Sequence, residues 1–543
     1  MSSNEPAQLS RVKDSPANLL PAFELHDARG TTRSFPSART ALLCFVKEDC
    51  PTCGLTMPLI EAAHRAFGAS IDVWAIGQDS DGNAKLVERH ALTVPMLDDS
   101  ALKVSFEYGL DTVPTIILAD AHGHEQRRFV GFGRDDWREM FAELARQSGL
   151  PPPAVDWDSY PESRPGCGSK SVEPGIAERL EANARGDKLT ARRIELGEAE
   201  DVFEFMFERG LTDGLPVVPP TPERVMWMLT GTRRDPRDVV AIAPPNLTPV
   251  TVEKVAVNAV MAGCRPAYLP VVIAALEAVC TDEFNIHGIM STTWGATPVM
   301  VVNGPIRHRL DMNMGMMALG YGTRSNATIG RALKLVLRNV GGARPGEIER
   351  ATLGAIGKFT TCFAEWEERS PWEPLHVERG FARDENVVTV FGLEAGSRQI
   401  ADQTSRTARA LAGSLGLGLE ACWHPKQHGA GEILLIVSPE HADTLARENW
   451  TKAQVRARIQ EVTSRPIREL IRDEDSGEGI PLSALGAATE ERLAEKIAKF
   501  RRPEDINIIV AGGNAGKFSA VFAGWVSGPM GSSSVSRRIE EAT

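Results

Sequence analysis

Two cysteines separated by two residues, Cys50-Pro51-Thr52-Cys53, follow the apolar run Ala41 to Val46 and precede a stretch of helical periodicity. A strand that ends in such a pair and opens into a helix sets the first sulfur near the helix N-terminus. There the free N–H groups and the macrodipole stabilise a thiolate and lower its pKa. The spacing brings the second sulfur within bridging distance, so a mixed disulfide on Cys50 can be resolved by Cys53. The chemistry expected is dithiol–disulfide exchange, with Cys50 attacking and Cys53 resolving, and it needs no cofactor beyond the pair itself. A zinc site would want a second such pair or a Cys/His pair at ligand spacing. His64, His90, His122 and His124 stand at no such spacing, so no metal is expected.

The elements that must hold this pair are short and alternate in type. Ala41 to Val46 predicts a buried strand, and Pro58 to Phe67 a helix with Leu59, Ile60, Ala63 and Phe67 on its apolar face. Ile71 to Ile76 and Thr115 to Leu118 predict further strands, Phe129 and Val130 an edge strand, and Trp137 to Arg146 a closing helix. Strands alternating with helices indicate an α/β layer architecture. Val113-Pro114-Thr115 lies at the start of one of those strands.

Residues from about Leu20 to Gly149 resemble the thioredoxin-like superfamily, nearest to its TlpA and peroxiredoxin-like members. The resemblance rests on Cys50-Pro51-Thr52-Cys53, on Val113-Pro114-Thr115 and on the opening Phe23-Glu24-Leu25-His26. It implies a cis peptide before Pro114, packed against the sulfurs and presenting backbone to the substrate. That places Pro114 with Cys50 and Cys53 in the catalytic set. A peroxidase would want a Pro-x-x-x-Thr-x-x-Cys approach to its cysteine, which Phe45 to Asp49 does not supply.

At 543 residues the chain exceeds one core, and at roughly 150 residues per domain it holds three to four units, or two with one large. Its composition, 42% hydrophobic and 24% charged, is that of a globular protein. A formal charge of −12 disfavours binding to nucleic acid. No apolar run reaches the ~20 residues of a membrane helix, and the start carries no apolar signal region, so a cytoplasmic protein is expected. Eight cysteines are too sparse for a disulfide scaffold. We expect residues 1–149 to form the thioredoxin-like domain and 150–191, rich in Pro, Gly and Ser, an inter-domain linker. Residues 192–543 are expected to form a large mixed α/β or α+β domain, with two subdomains as an alternative. Cys167, in Pro165-Gly166-Cys167-Gly168-Ser169, reads either as an incidental linker thiol or as a mobile shuttle cysteine.

The C-terminal region is dense in clusters that match no single reaction. Gly320 to Arg331 runs into the apolar stretch Ala332 to Leu337. Glycines before a helix start leave N–H groups free for an anion, and Arg324, Ser325, Asn326 and Arg331 become candidate substrate ligands; a tight capped loop is the alternative. His287, in a polar loop ahead of the strand Val299 to Val302, is another candidate. Cys362 and Glu365 could share a helix face, with His376 as base to a Cys362 nucleophile; a buried core cysteine is the alternative. Cys422, His424 and His428 loosely resemble metal spacing without a fourth ligand, and Val510 to Lys517 is a Gly-rich turn after a strand. Thr251 to Asn258, Arg324 to Arg331 and Ser370 to Phe381 resemble a bacterial family whose members carry no activity to transfer.

The resulting expectation is a two-part oxidoreductase in which the first domain supplies reducing equivalents to a C-terminal domain acting on a small anionic metabolite. The alternative is a cysteine-dependent lyase or hydrolase of a small, sulfur-containing substrate, with the thioredoxin-like domain in support; a docking protein is a third. Expected partners are a small-molecule substrate and a cellular dithiol reductant, in a homo-oligomer without nucleic acid or membrane.

Overall fold

Six apolar residues in succession, Ala41–Val46, leave a strand with no polar face to turn to water, so it must be covered on both faces and paired on both edges. The computed structural model describes residues 19–173, 176, 177, 180, 184, 189–194, 201–320, 322–486, 488–527 and 531–541. It divides into two compact units, residues 1–192 and 193–543.

The first unit runs β1 (Phe23–His26), β2 (Thr32–Phe35), β3 (Ala41–Val46), α1 (Pro51–Phe67), β4 (Asp72–Gly77), α2 (Ser80–His90), β5 (Met96–Asp98) and α3 (Lys103–Glu107). It continues through β6 (Thr112–Val113), β7 (Thr115–Ala119), β8 (Glu125–Val130), β9 (Phe132–Gly133), α4 (Arg134–Ser148), β10 (Ser163–Arg164) and β11 (Cys167–Gly168). The central sheet has the order β5-β4-β3-β7-β8. β3 lies parallel to β4 and antiparallel to β7, and β8 is the edge, as Phe129 and Val130 suggested.

Helix α1 begins seven residues earlier than the apolar periodicity indicated. Pro51 at its first turn has the φ a helix start requires, and the Cys50 side chain caps the Cys53 N–H. Its buried face, including Cys53, Met57, Ile60 and Phe67, packs on the sheet. In α4, Trp137, Met140, Phe141 and Leu144 fall on one stripe and are buried.

Residues 150–172 do not behave as the free linker their prolines suggested. Leu150, Val155, Trp157, Tyr160 and Cys167 pack against the first unit's core. The Trp157 ring meets Phe141 at 5.9 Å and Tyr160 stacks on Phe132 at 5.7 Å. Two large aromatic rings supply the apolar area that Pro and Gly lack.

The second unit holds two four-stranded sheets. In the first, Ala296–Asn303 lies between Cys362–Ala364 and Val387–Glu394, and Val535–Arg538 closes the edge. In the second, Ile433–Val437 pairs in parallel with Ile506–Val510 and antiparallel with Phe518–Ala523, beyond which lies Arg398–Ala401. Helices Val252–Ala262, Leu269–Val279 and Arg324–Asn339 pack together. The chain is thus a thioredoxin-like α/β layer followed by a larger mixed α/β unit.

Two helices of the second unit follow closely on one another: Pro439–Ala446 ends, and Lys452–Thr463 starts behind a capping box of Thr451 and Gln454. The short helix Glu490–Ala494 gives way to Lys496–Ile497, which pairs with Arg465–Pro466. Arg324 to Arg331 is not a loop but the first two turns of the helix Arg324–Asn339. Among the described residues no helix is long and apolar enough to cross a membrane.

Candidate active site

The first sulfur is set by the end of β3 and the start of α1. Cys50 is the N-cap residue in extended conformation, and its Sγ accepts from the Cys53 N–H at 3.3 Å. A hydrogen bond from the Cys53 thiol acts most strongly on it. Burial opposes ionisation, while the Cys167 thiol and the backbone N–H groups of Cys53 and Thr52 favour it; the balance brings Cys50 down to about 5. The Val113 carbonyl lies 3.5 Å from the same sulfur and can accept only from its protonated form. The Val113–Pro114 peptide is cis. Cys53 is fully buried, and its Sγ accepts from Lys47 N–H at 3.4 Å. Burial, then the hydrogen bond it gives Cys50, pushes its thiol far upward. One ionised sulfur flanked by protonated thiols is an arrangement for nucleophilic attack followed by resolution.

The third sulfur is one that spacing alone left undecided. Cys167 lies on β11, which pairs antiparallel with β6 so that Cys167 faces Val113 and Gly168 faces Thr112. Its pKa is raised, first by the hydrogen bond it gives Cys50, then by burial. Cys50 is only 1% exposed, whereas Cys167 is partly exposed.

In the second unit the predicted ligands are brought into structural contacts. Arg324 donates to the Gly263 carbonyl at 2.8 Å, and Arg331 forms a two-pronged pair with Asp213 at 2.7 and 2.8 Å. Ser325 donates to the Asp311 carbonyl, and Asn326 is held between Asn313 and Ala318. His287 is exposed on the short helix Ile286–Ser291. His424 Nδ1 accepts from Lys426 N–H, and His428 Nδ1 lies 3.1 Å from the Ile497 carbonyl.

Cys362 and Glu365 do not share a helix face, because Cys362–Ala364 is a buried strand beside Ala296–Asn303. Burial pushes the Cys362 thiol far up, which opposes a nucleophilic role. Glu365 accepts from Asn303 at 2.7 Å and from the Leu375 N–H at 2.8 Å, and burial raises its pKa. His376 is fully buried; its Nε2 lies 3.4 Å from the Arg383 carbonyl oxygen, while its Nδ1, 3.9 Å from a Glu367 oxygen, has no hydrogen-bond partner.

A group that sequence reasoning missed is Lys334. It lines a cavity of about 200 Å³ with Lys358, Arg338, Glu349 and Thr297. Lys334 contacts the Thr297 hydroxyl, and burial pulls its pKa well below the usual lysine range. The signal was a lysine inside the run Ala332-Leu333-Lys334-Leu335-Val336-Leu337, where five of six residues are apolar.

Residues 16–126 match the AhpC/TSA family. The thiol-disulfide oxidoreductase ResA of Halalkalibacterium halodurans is 26% identical over 129 residues, 23% of this chain and 73% of that protein. Among solved structures, StoA of Bacillus subtilis is 22% identical with a TM-score of 0.20, over 23% of this chain and 99% of that one. Peroxidoxin BcpB of Mycobacterium tuberculosis is 18% identical with a TM-score of 0.22, over 24% of this chain and 96% of that one. Each of these relatives covers about a quarter of this chain, and the AhpC/TSA match over residues 16–126 falls within the first, thioredoxin-like unit.

Proposed function

We propose that the protein is a thiol–disulfide oxidoreductase in which Cys50 attacks and Cys53 resolves. The supporting observation is the Cys50 sulfur at the N-cap of α1, brought down to about 5 by thiol and N–H donors beside the cis-Pro114 turn. Reduction of oxidised glutathione with dithiothreitol as the dithiol reductant tests it. The wild type turns over, and Cys50→Ser and Cys53→Ser variants lose that turnover. Full activity in Cys50→Ser overturns the reading.

In the same reading the second unit receives reducing equivalents and acts on a small anionic metabolite. Its position on the same chain raises the effective concentration of one unit for the other. An anion is supported by the Arg338 Nε, which is buried at the Lys334 cavity without a hydrogen-bond partner. Thermal unfolding against a panel of small carboxylates and phosphate checks this. Stabilisation that Arg338→Gln abolishes supports an anion site, and no stabilisation by any of them counts against it.

A further inference from the structure

The segment that follows α4 returns across the sulfur centre as a strap. β10 pairs antiparallel with β9, matching Ser163 with Gly133 and Arg164 with Phe132, and β11 then pairs with β6 at Val113 and Thr112. The Thr52 hydroxyl, inside the Cys50–Cys53 turn, donates to the Pro165 carbonyl at 2.8 Å. Beyond Cys167, the Ser169 N–H donates to the Asp111 carbonyl at 2.9 Å, and Gln78 donates to the Ser169 hydroxyl at 2.7 Å while accepting from Lys170 N–H at 3.0 Å. Ser169 is fully buried, and Lys170 pairs with Asp79 at 2.8 Å. The strap is therefore anchored on both sides of Cys167. Gly166 permits the approach: a Cβ there would meet Thr112 Cγ2 at 2.5 Å and the Val113 carbonyl oxygen at 2.6 Å.

Three sulfurs meet as a result. The Cys50 Sγ lies 3.5 Å from the Val113 carbonyl oxygen, Cys167 stands opposite Val113 in the strap, and the Cys53 and Cys167 thiols both favour the Cys50 thiolate. Cys50 and Cys53 are sealed, at 1% and 0% exposure, while Cys167 is in part open to solvent. A strand laid along the edge beside an attacking sulfur is how an extended peptide adds to a sheet, so the strap fills the place an incoming chain would take.

We propose that Cys167 is a second resolving cysteine, closing a Cys50–Cys167 disulfide from the solvent side of the centre. The inference rests on the thiol-exchange reading above. The Cys50 thiolate attacks a disulfide R–S–S–R, forming Cys50–S–S–R and releasing RS⁻, which takes a proton from water. Cys167 loses its proton and attacks the Cys50 sulfur, the bond to R breaks, and the second RS⁻ takes up a proton. Cys50 and Cys167 are together oxidised by two electrons, and the external disulfide is reduced to two thiols. A dithiol reductant then restores the two thiols by the reverse exchange.

The test uses the full chain with oxidised glutathione as the disulfide, acid quenching and mass spectrometry of unreduced peptides. Cys53→Ala is expected to give peptides joined through Cys50 and Cys167, with the glutathione adduct on Cys50 decaying about tenfold or more faster than in Cys53→Ala/Cys167→Ser. The double variant is expected to stop at the adduct. If Cys53→Ala also stops there, Cys167 does not resolve and the proposal fails while the exchange reading stands. If Cys50 takes no glutathione in any variant, both fall. Should Cys53→Ala not fold, the wild type oxidised with limiting glutathione disulfide gives the answer: a Cys50–Cys167 peptide pair is expected, and its absence overturns the proposal.

Discussion

Cys167 stands directly opposite Val113 in antiparallel register, so the third sulfur faces the residue that precedes cis-Pro114. Backbone pairing, rather than the reach of a long side chain, fixes this relationship. A cysteine with one χ angle carries little side-chain freedom, so the register of two short strands largely decides where its sulfur lies. The consequence is a redox centre with a core-side and a solvent-side thiol around one low-pKa sulfur.

The first prediction concerns ionisation. Alkylation of Cys50 by iodoacetamide should follow a titration with its midpoint near the value of about 5, far below the ~8.5 of free cysteine. Cys167→Ala should move that midpoint upward, because the thiolate then loses one of the thiols that favour it. The linkage has a definite sign: folded Cys50 ionises below its unfolded value, so its stabilising contribution is complete above about pH 8.5. It fades as pH falls toward the folded value of about 5. The stability difference between reduced wild type and Cys50→Ser, read from thermal unfolding, should shrink across that window.

Gly166 gives a steric prediction. Gly166→Ala should dislodge β11, since the added Cβ has less than 3 Å to Thr112 and Val113. Cys50, now 1% exposed, should react faster with a bulky maleimide than in the wild type. Unchanged labelling would show that the strap does not seal the sulfur.

Glu61, on α1 away from the cysteines, should dominate the acid response of the first unit. Burial works against its charge, but the Thr93 hydroxyl, the N–H groups of Thr93 and Val94, and Arg65 hold it down at about 2. Its contribution is complete above the unfolded carboxylate value and is lost as pH falls through about 2. Glu61→Gln should cost about 1–3 kcal/mol at pH 7 and flatten the acid limb of stability below about pH 4.5.

Arg331 should behave as a structural residue. Its guanidinium also reaches the Leu215 and Pro216 carbonyls, so Arg331→Ala strips Asp213 of its ionic partner and removes a donor from each carbonyl. A loss of about 1–3 kcal/mol in urea unfolding is expected, with glutathione turnover through Cys50 unchanged. Undiminished stability would return Arg331 to the candidate ligands.

Much of the first unit was legible along the chain. Ala41–Val46, the Cys50–Cys53 spacing and the Val113–Pro114 turn are local signals, because a continuous apolar run, a helix start and a proline each act through neighbours in sequence. Composition misled where it stood alone. Residues 150–191 read as a linker from their prolines, yet within them Trp157 and Tyr160 dock onto α4 and β9. Clusters around Arg324 and Cys362 read as sites because polar and reactive types were dense there. Folding turned those side chains to backbone carbonyls, to Asp213 and into a buried strand.

The low pKa of one sulfur was thus legible in part along the sequence, since the Cys53 thiol and the helix-start N–H groups that favour its thiolate come from neighbouring residues. Which sulfurs surround it was decided by the tertiary structure alone: Cys167 lies more than a hundred positions beyond Cys50, and only the pairing of β11 with β6 brings them together. Burial, likewise, is a property of the packed whole, so the same residue type has a lowered pKa at 50, is a shielded thiol at 53 and a core side chain at 362.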